Sequence, residues 1–307
     1  MEKSKATEVS LKKEVGKMRK FLILGLISIT LFLRGGAVSK SKKETPHLIV
    51  WTSYLLKSPF IELNKEFEKI YKCKIIYGRA PESTLAKAIN KYDFSADVIV
   101  TRASTLKEAE TLFRRIEEYK PLLESRWVII YLKEKNLNVS SIEDLAKPGV
   151  RIGFCPKRTE YNDLSAVTVA KIVENAGIKE EFWKNIPEKV SCGGVCALVL
   201  NAVKAEYLDY DSMDRNSYYW QVYSHLLTQR ADACIVDEIF THLPEVKGKV
   251  RIVPIASKYI PSGSTTFSIG IVRYSKQKEL AKKYIDFVFS KRGRRIFKKY
   301  GLNLIGR

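Results

Sequence analysis

Ser83 heads a segment, Ser83–Asn90, whose residues favour a helix. A helix start carries unpaired N–H groups and the positive end of the peptide dipole. A serine there adds a hydroxyl, so it suits an ordinary cap, a donor to a small anion, or both. Asn216-Ser217-Tyr218-Tyr219-Trp220 is a second candidate start, with Ser217 as cap and Tyr218 and Tyr219 offering N–H groups. Lys57 and Arg79 could add positive charge, although exposed surface is the commoner place for such residues.

Other reactive residues carry less. Cys73, Cys155, Cys192, Cys196 and Cys234 are odd in number, so at least one thiol is unpaired. The Cys192–Cys196 spacing is compatible with a metal knuckle. No second Cys pair or nearby His completes one, so a structural disulfide or buried thiols are expected. His47, His225 and His242 are scattered, and the chain has no Ser–His–Asp order, HExxH helix or phosphate loop. A binding protein rather than an enzyme is expected, without a cofactor.

Composition bounds the partners. The 307 residues are 45% hydrophobic and 29% charged, enough for two domains with their own cores. A net charge of +20 fits an anionic partner or a solvated basic surface. The basic residues are spread along the chain with no helix-turn-helix, zinc finger or aromatic-basic stripe, so no nucleic-acid partner is expected. Only Gln221, Gln229 and Gln277 are glutamines, a bias seen in proteins of hyperthermophiles.

The N-terminus reads as an export signal. Lys17-Met18-Arg19-Lys20 is positive, Phe21–Leu33 is apolar, and Ala37-Val38-Ser39 offers a small-x-small cleavage site. Residues 1–39 form this segment, cleaved or kept as an anchor, and 40–46 a charged linker. Either way the rest is expected outside the cytoplasm.

The elements that must position these residues alternate between strand and helix. Strands are expected at His47–Trp51, Lys74–Tyr77, Ala96–Thr101, Trp127–Leu132, Val150–Phe154, Ala233–Val236 and Phe267–Arg273. Helices are expected after Pro59, at Ser83–Asn90, Ser141–Ala146, Leu164–Ala176 and Tyr218–Gln229, around Leu280–Val288 and at Lys291–Tyr300. This alternation predicts an α/β fold with mixed, mainly parallel sheets flanked by helices.

Phe287–Leu302 (FVFSKRGRRIFKKYGL) resembles the ending of the periplasmic molybdate/tungstate-binding proteins, and of type II extracellular solute-binding proteins of ABC transporters generally. The opening resembles them too: the strand Leu48–Trp51, then Pro59-Phe60-Ile61-Glu62, Glu82-Ser83-Thr84 and Ala96-Asp97-Val98. Ala231–Val236 is similar to the family's late crossover strand. The resemblance implies a two-lobed periplasmic-binding-protein type II fold with a ligand cleft between lobes. Residues 47–126 plus 238–307 would form lobe I and 127–237 lobe II. It implies a monomer that captures a small oxyanion and delivers it to the membrane permease of an ABC transporter.

The same resemblance assigns candidate ligand-binding residues. It places a donor in the first loop, where this chain has Leu55 preceded by Thr52 and Ser53, and another at Ser83. It places a tyrosine where this chain has Asp237. The segment Thr159–Leu164 is similar to tungstate/molybdate binders that reach the metal centre with two carboxylates, here Glu160 and Asp237. Tyr218 and Tyr219 complete the candidate set. They also resemble the tyrosine pair of ferric-ion-binding relatives, so a ferric or other small-ligand binder is the alternative. An anchored sensor domain is another.

Overall fold

The computed structural model describes residues 45–91, 94–154, 164–187 and 217–306. Glu160, Cys155, Cys192, Cys196 and the expected export segment lie outside them. No described helix is long and apolar enough to cross a membrane.

The first sheet has the order β2-β1-β3-β9-β4. Its strands are β1 (His47–Ser53), β2 (Lys74–Ala80), β3 (Val98–Arg102), β4 (Ile116–Glu124) and β9 (Thr266–Val272). The second has the order β6-β7-β5-β8, from β5 (Trp127–Leu132), β6 (Ile152–Gly153), β7 (Ala233–Asp237) and β8 (Val250–Pro254). Parallel pairing is confined to β2–β1–β3 and β6–β7, while β9 and β5 run antiparallel to both their neighbours. The parallel share is therefore smaller than the strand–helix alternation suggests. β5 and β9 follow the connections that carry the chain from one sheet to the other, not a helical crossover within a sheet.

The second passage between the sheets lies beyond residue 238, the boundary expected for the second lobe. β8 pairs with β5, from Val128↔Pro254 to Leu132↔Val250, so the chain stays in the second sheet to residue 254 and rejoins the first at 266. The two connections lie side by side. Glu124 pairs with Thr266, Ser125 N–H donates to the Thr265 carbonyl at 2.9 Å, and the Trp127 indole N–H reaches the Ser264 carbonyl at 3.4 Å.

Helices cover both faces of the first sheet. Strand β3 alternates: Val98 and Val100 join the main core, whereas Ile99 packs in a smaller cluster with Leu85, Ile89, Leu106 and Ala109. That cluster belongs to α2 (Glu82–Ile89) and α3 (Ala103–Thr111). The opposite face carries α1 (Lys57–Tyr71), α8 (Lys278–Phe289) and α9 (Lys291–Lys299). There Phe67 meets Tyr284 edge-on at 5.0 Å, and the Tyr284 hydroxyl donates to Asn64 at 2.5 Å. The second sheet is flanked by α4 (Leu164–Asn175), α5 (Lys179–Lys184), α6 (Tyr218–Leu227) and the single turn α7 (Glu238–Thr241). Cys73 and Cys234 are buried free thiols, and burial pushes both above the usual thiol range, which keeps them protonated and inert.

The Ser-x-x-Gly turn has a clear physical cause. Ser290 ends α8 and caps α9, its Oγ accepting from the Gly293 N–H at 3.1 Å. A Cβ on Gly293 would lie 2.1 Å from the Val288 carbonyl oxygen and 2.5 Å from that of Phe287. Gly293→Ala is expected to destabilise the fold by about 2 kcal/mol, read as a lowered midpoint in urea. His225 on α6 gives a second expectation. Burial, then Arg230, lowers its pKa to about 4 from the usual 6.5. The unfolded chain takes up that proton first as the pH falls, so stability drops between 6.5 and about 4. His225→Gln should flatten this part of the stability–pH curve.

Candidate functional site

A cavity of about 80 Å³ lies where both sheets and both connections meet. It is lined by Glu82, Arg102, Ser104, Trp127, Leu164, Ser165, Thr168 and Ser264. Its volume suits one small ion or a few water molecules. A larger groove of about 350 Å³ runs along β4 and α8, with Lys120, Lys282 and Asp286 on its walls. That groove is open and built from the first sheet and its helix alone, so the smaller cavity is the better candidate.

Three helices begin at the cavity. Glu82 is the first residue of α2, Ser104 the second of α3, and Leu164 and Ser165 open α4. Each helix start carries roughly half a positive elementary charge on its unpaired N–H groups. Arg102, the last residue of β3, adds a full charge. Its guanidinium lies 3.9 Å over the Phe267 ring and 5.8 Å from the centre of Trp127.

Asp237 holds Arg102 in place. The Arg102 Nη2–H donates to Asp237 Oδ2 at 2.5 Å, from the end of β3 to the end of β7. The other carboxylate oxygen accepts from the Ile239 N–H at 2.8 Å and from the Ser125 hydroxyl. Burial opposes the charge on Arg102, but the carboxylate of Asp237 joined to it outweighs that cost and raises the pKa above the ordinary value. Nη1 of the same guanidinium is buried without a hydrogen-bond partner among the described residues.

The expected donors of the first loop are occupied. Thr52 is fully buried, its Oγ1 2.7 Å from the Tyr77 hydroxyl. The Ser53 hydroxyl donates to Glu82 Oε1 at 2.9 Å and accepts from the Leu55 N–H at 3.4 Å. Ser83 is the second residue of α2, not its cap; that position belongs to Pro81, whose carbonyl takes the Thr84 and Leu85 N–H groups. Lys57 and Arg79 are half-buried and do not line the cavity.

Tyr218 and Tyr219 open α6, as expected, with Ser217 at the N-cap. The Ser217 hydroxyl makes no hydrogen bond to the described residues, so it is not the side-chain cap its position suggests. Tyr218 donates to the Ile235 carbonyl at 3.3 Å. Burial, then Glu82, pushes the Tyr219 phenol well above its usual range. Among the described residues no three His, Cys, Asp or Glu side chains cluster in a way that could hold a metal.

Sequence reasoning therefore placed Asp237 and Tyr219 close to the cavity but missed Arg102, Glu82, Ser104 and Ser165 on or beside its wall. One signal was available: Arg102 directly follows the buried run Val98–Thr101, where a charge needs a partner.

A family model for the bacterial extracellular solute-binding proteins matches residues 48–303. The chain belongs to this family. No curated protein matches the sequence. Among solved structures, the periplasmic molybdate-binding protein of Azotobacter vinelandii is similar at 13% identity and a TM-score of 0.59, over 84% of this chain and all of that one. Campylobacter jejuni PEB3, solved with bound L-phospholactate, is similar at 18% identity and a TM-score of 0.56, over 83% of this chain and 99% of that one. The ferric binding protein of Campylobacter jejuni is similar at 16% identity and a TM-score of 0.55, over 84% of this chain and 86% of that one. At such identities these likenesses establish the two-lobed α/β fold.

The ion pair makes a direct prediction. Removing one partner of a buried pair leaves the other charge uncompensated, so Asp237→Ala is expected to cost about 3–5 kcal/mol. Urea unfolding measures the loss, and a cost under about 1 kcal/mol would place the pair at solvated surface.

Proposed function

We propose that this protein is an extracytoplasmic solute-binding protein that captures a small oxyanion in the cavity between its lobes and delivers it to the permease of an ABC transporter. One observation carries the reading: Arg102 Nη1, buried without a hydrogen-bond partner among the described residues, at a cavity where three helices begin. Helix N–H groups and a guanidinium together suit an anion with several oxygens. Molybdate and tungstate, which the sequence resemblance brings forward, belong to this class with sulfate and phosphate. Delivery to a permease and export follow from the family, and closure by hinge bending from the paired connections at 124–127 and 264–266.

In this reading Arg102 grips the anion and Asp237 acts through it. The N–H groups of Glu82 and Ser83 at the head of α2, and the Ser104 hydroxyl on α3, supply further donors. Glu160 remains a candidate contact from the second lobe. The ferric alternative is less well supported, because the Tyr218 hydroxyl donates to the Ile235 carbonyl and the Tyr219 ring is fully buried against Tyr218 and Phe240.

Thermal unfolding of the full chain with molybdate, tungstate, sulfate, phosphate and ferric citrate tests the class. Binding to the folded state alone raises the midpoint with ligand concentration. At least one oxyanion is expected to do so, and Arg102→Gln is expected to reduce that affinity by 100-fold or more, about 3 kcal/mol for a buried charged contact. A shift with ferric citrate alone would reject the oxyanion reading.

A further inference from the structure

We infer that the end of the first sheet remote from the cavity is a docking surface for a lipid membrane with anionic headgroups. Lipid contact there is independent of what the cavity binds.

Strand directions place this surface. β1, β2, β3 and β4 run toward the cavity, and β9 runs away from it. At the opposite end His47 pairs with Lys74, Val98 with Ile271 and Ile116 with Val272. The loops at 71–74, 112–115 and 273–277 therefore lie along one end of the sheet. Five strands at the usual spacing give that end a width of about 19 Å. The Arg273 N–H donates to the Arg115 carbonyl at 2.7 Å and joins the last two loops.

Nine large apolar side chains are exposed among the described residues. Five of them lie here: Ile70 and Tyr71 at the end of α1, Leu112 and Phe113 after α3, and Tyr274 after β9. Single exposed apolar residues are ordinary, but five at one end of one sheet form a surface. Leu112 is 71% exposed and Tyr274 62%, more than any other large apolar side chain described. The Arg115 guanidinium lies 5.6 Å from the centre of the Tyr274 ring and ties it to the loop that carries Leu112.

The same loops carry Lys72, Arg114, Arg273 and Lys276, all exposed. Lys72 and Arg114 sit in left-handed backbone, at φ 52° and 51°, a conformation that favours glycine. Long cations occupy both positions instead. Three nearby carboxylates are already held. Glu68 accepts from the Ile75 N–H, Asp97 from the Ile49 N–H and the Ser275 hydroxyl, and Glu117 pairs with Lys278.

Apolar tips flanked by Lys and Arg suit an anionic lipid surface. The tips enter the headgroup region, and each cation near it strengthens binding about fivefold. The chain enters the fold at this end too, where the Pro46 carbonyl accepts from the Lys74 N–H at 2.8 Å. The sequence before it carries the apolar run Phe21–Leu33, so a tether through that run would leave from the same end. The cavity lies at the other ends of these strands, so lipid contact leaves it free for ligand.

Fluorescence of the full chain on vesicles of brominated phosphatidylglycerol tests the contact, because bromine quenches only an indole close to the lipid. Measured against the wild type, the emission added by Tyr274→Trp is expected to be lost. That added by Ile252→Trp, exposed on the second sheet, is expected to persist. Adding Leu112→Ser/Phe113→Ser or Arg114→Gln/Lys276→Gln to Tyr274→Trp, with native circular dichroism, is expected to restore the emission. Brominated phosphatidylcholine is expected to quench far less. Equal quenching at 274 and 252 would reduce the contact to tethering and overturn the docking surface. Equal quenching by both lipids would overturn the anionic preference and the assignment with it. Persistent emission at 274 would do the same, and self-association lost in Leu112→Ser/Phe113→Ser would then give the surface to a second copy of this chain.

Discussion

Arg102 and Asp237 stand 135 residues apart in sequence and 2.5 Å apart in the fold. Each ends a buried strand of a different sheet, so the pair fixes how the two strand ends face one another. Neither charge could be buried there alone, because an isolated ion in a protein interior costs several kcal/mol. Asp237 meets that cost with donors from Arg102, Ser125 and Ile239. Arg102 meets it with one ion-paired arm and an aromatic face at Phe267, while Nη1 has no hydrogen-bond partner among the described residues. The cavity's chemistry depends on this arrangement.

The fold explains why the pair sits beside three helix starts. In each sheet, helices follow strands whose carboxyl ends lie toward the other sheet, so α2, α3 and α4 begin near one another. The adjacent connections at 124–127 and 264–266 run past the same place and contribute Trp127 and Ser264. Strand ends and helix starts therefore position the lining, and the paired connections are where the chain passes between the two sheets.

Much of the scaffold was legible in the sequence. Trp127–Leu132 is an unbroken apolar run and is a strand with those same bounds. The helices at Leu164 and Tyr218 begin where their periodicity begins. β4 was not legible, because Ile-Glu-Glu-Tyr-Lys-Pro lacks alternation and contains Pro121, tolerated only because β4 is an edge strand. β8 was missed through its solvent-facing Arg251 and Ile252, which hide a strand that pairs on one side only. The site was harder to read. Residue type marked Ser53 as a donor to ligand, but its one proton goes to Glu82, a partner that only the fold brings within reach. Asp237 looked like a free carboxylate for the same reason.

The central claim is that an oxyanion sits against Arg102 between the two sheets. Crystals grown with arsenate, measured at the arsenic absorption edge, test it without assuming affinity or stability. An anomalous peak is expected in the cavity lined by Glu82, Arg102 and Ser165, with an oxygen about 3 Å from Arg102 Nη1. A cavity without that peak, or a peak only in the open groove near Lys120 and Lys282, would contradict it.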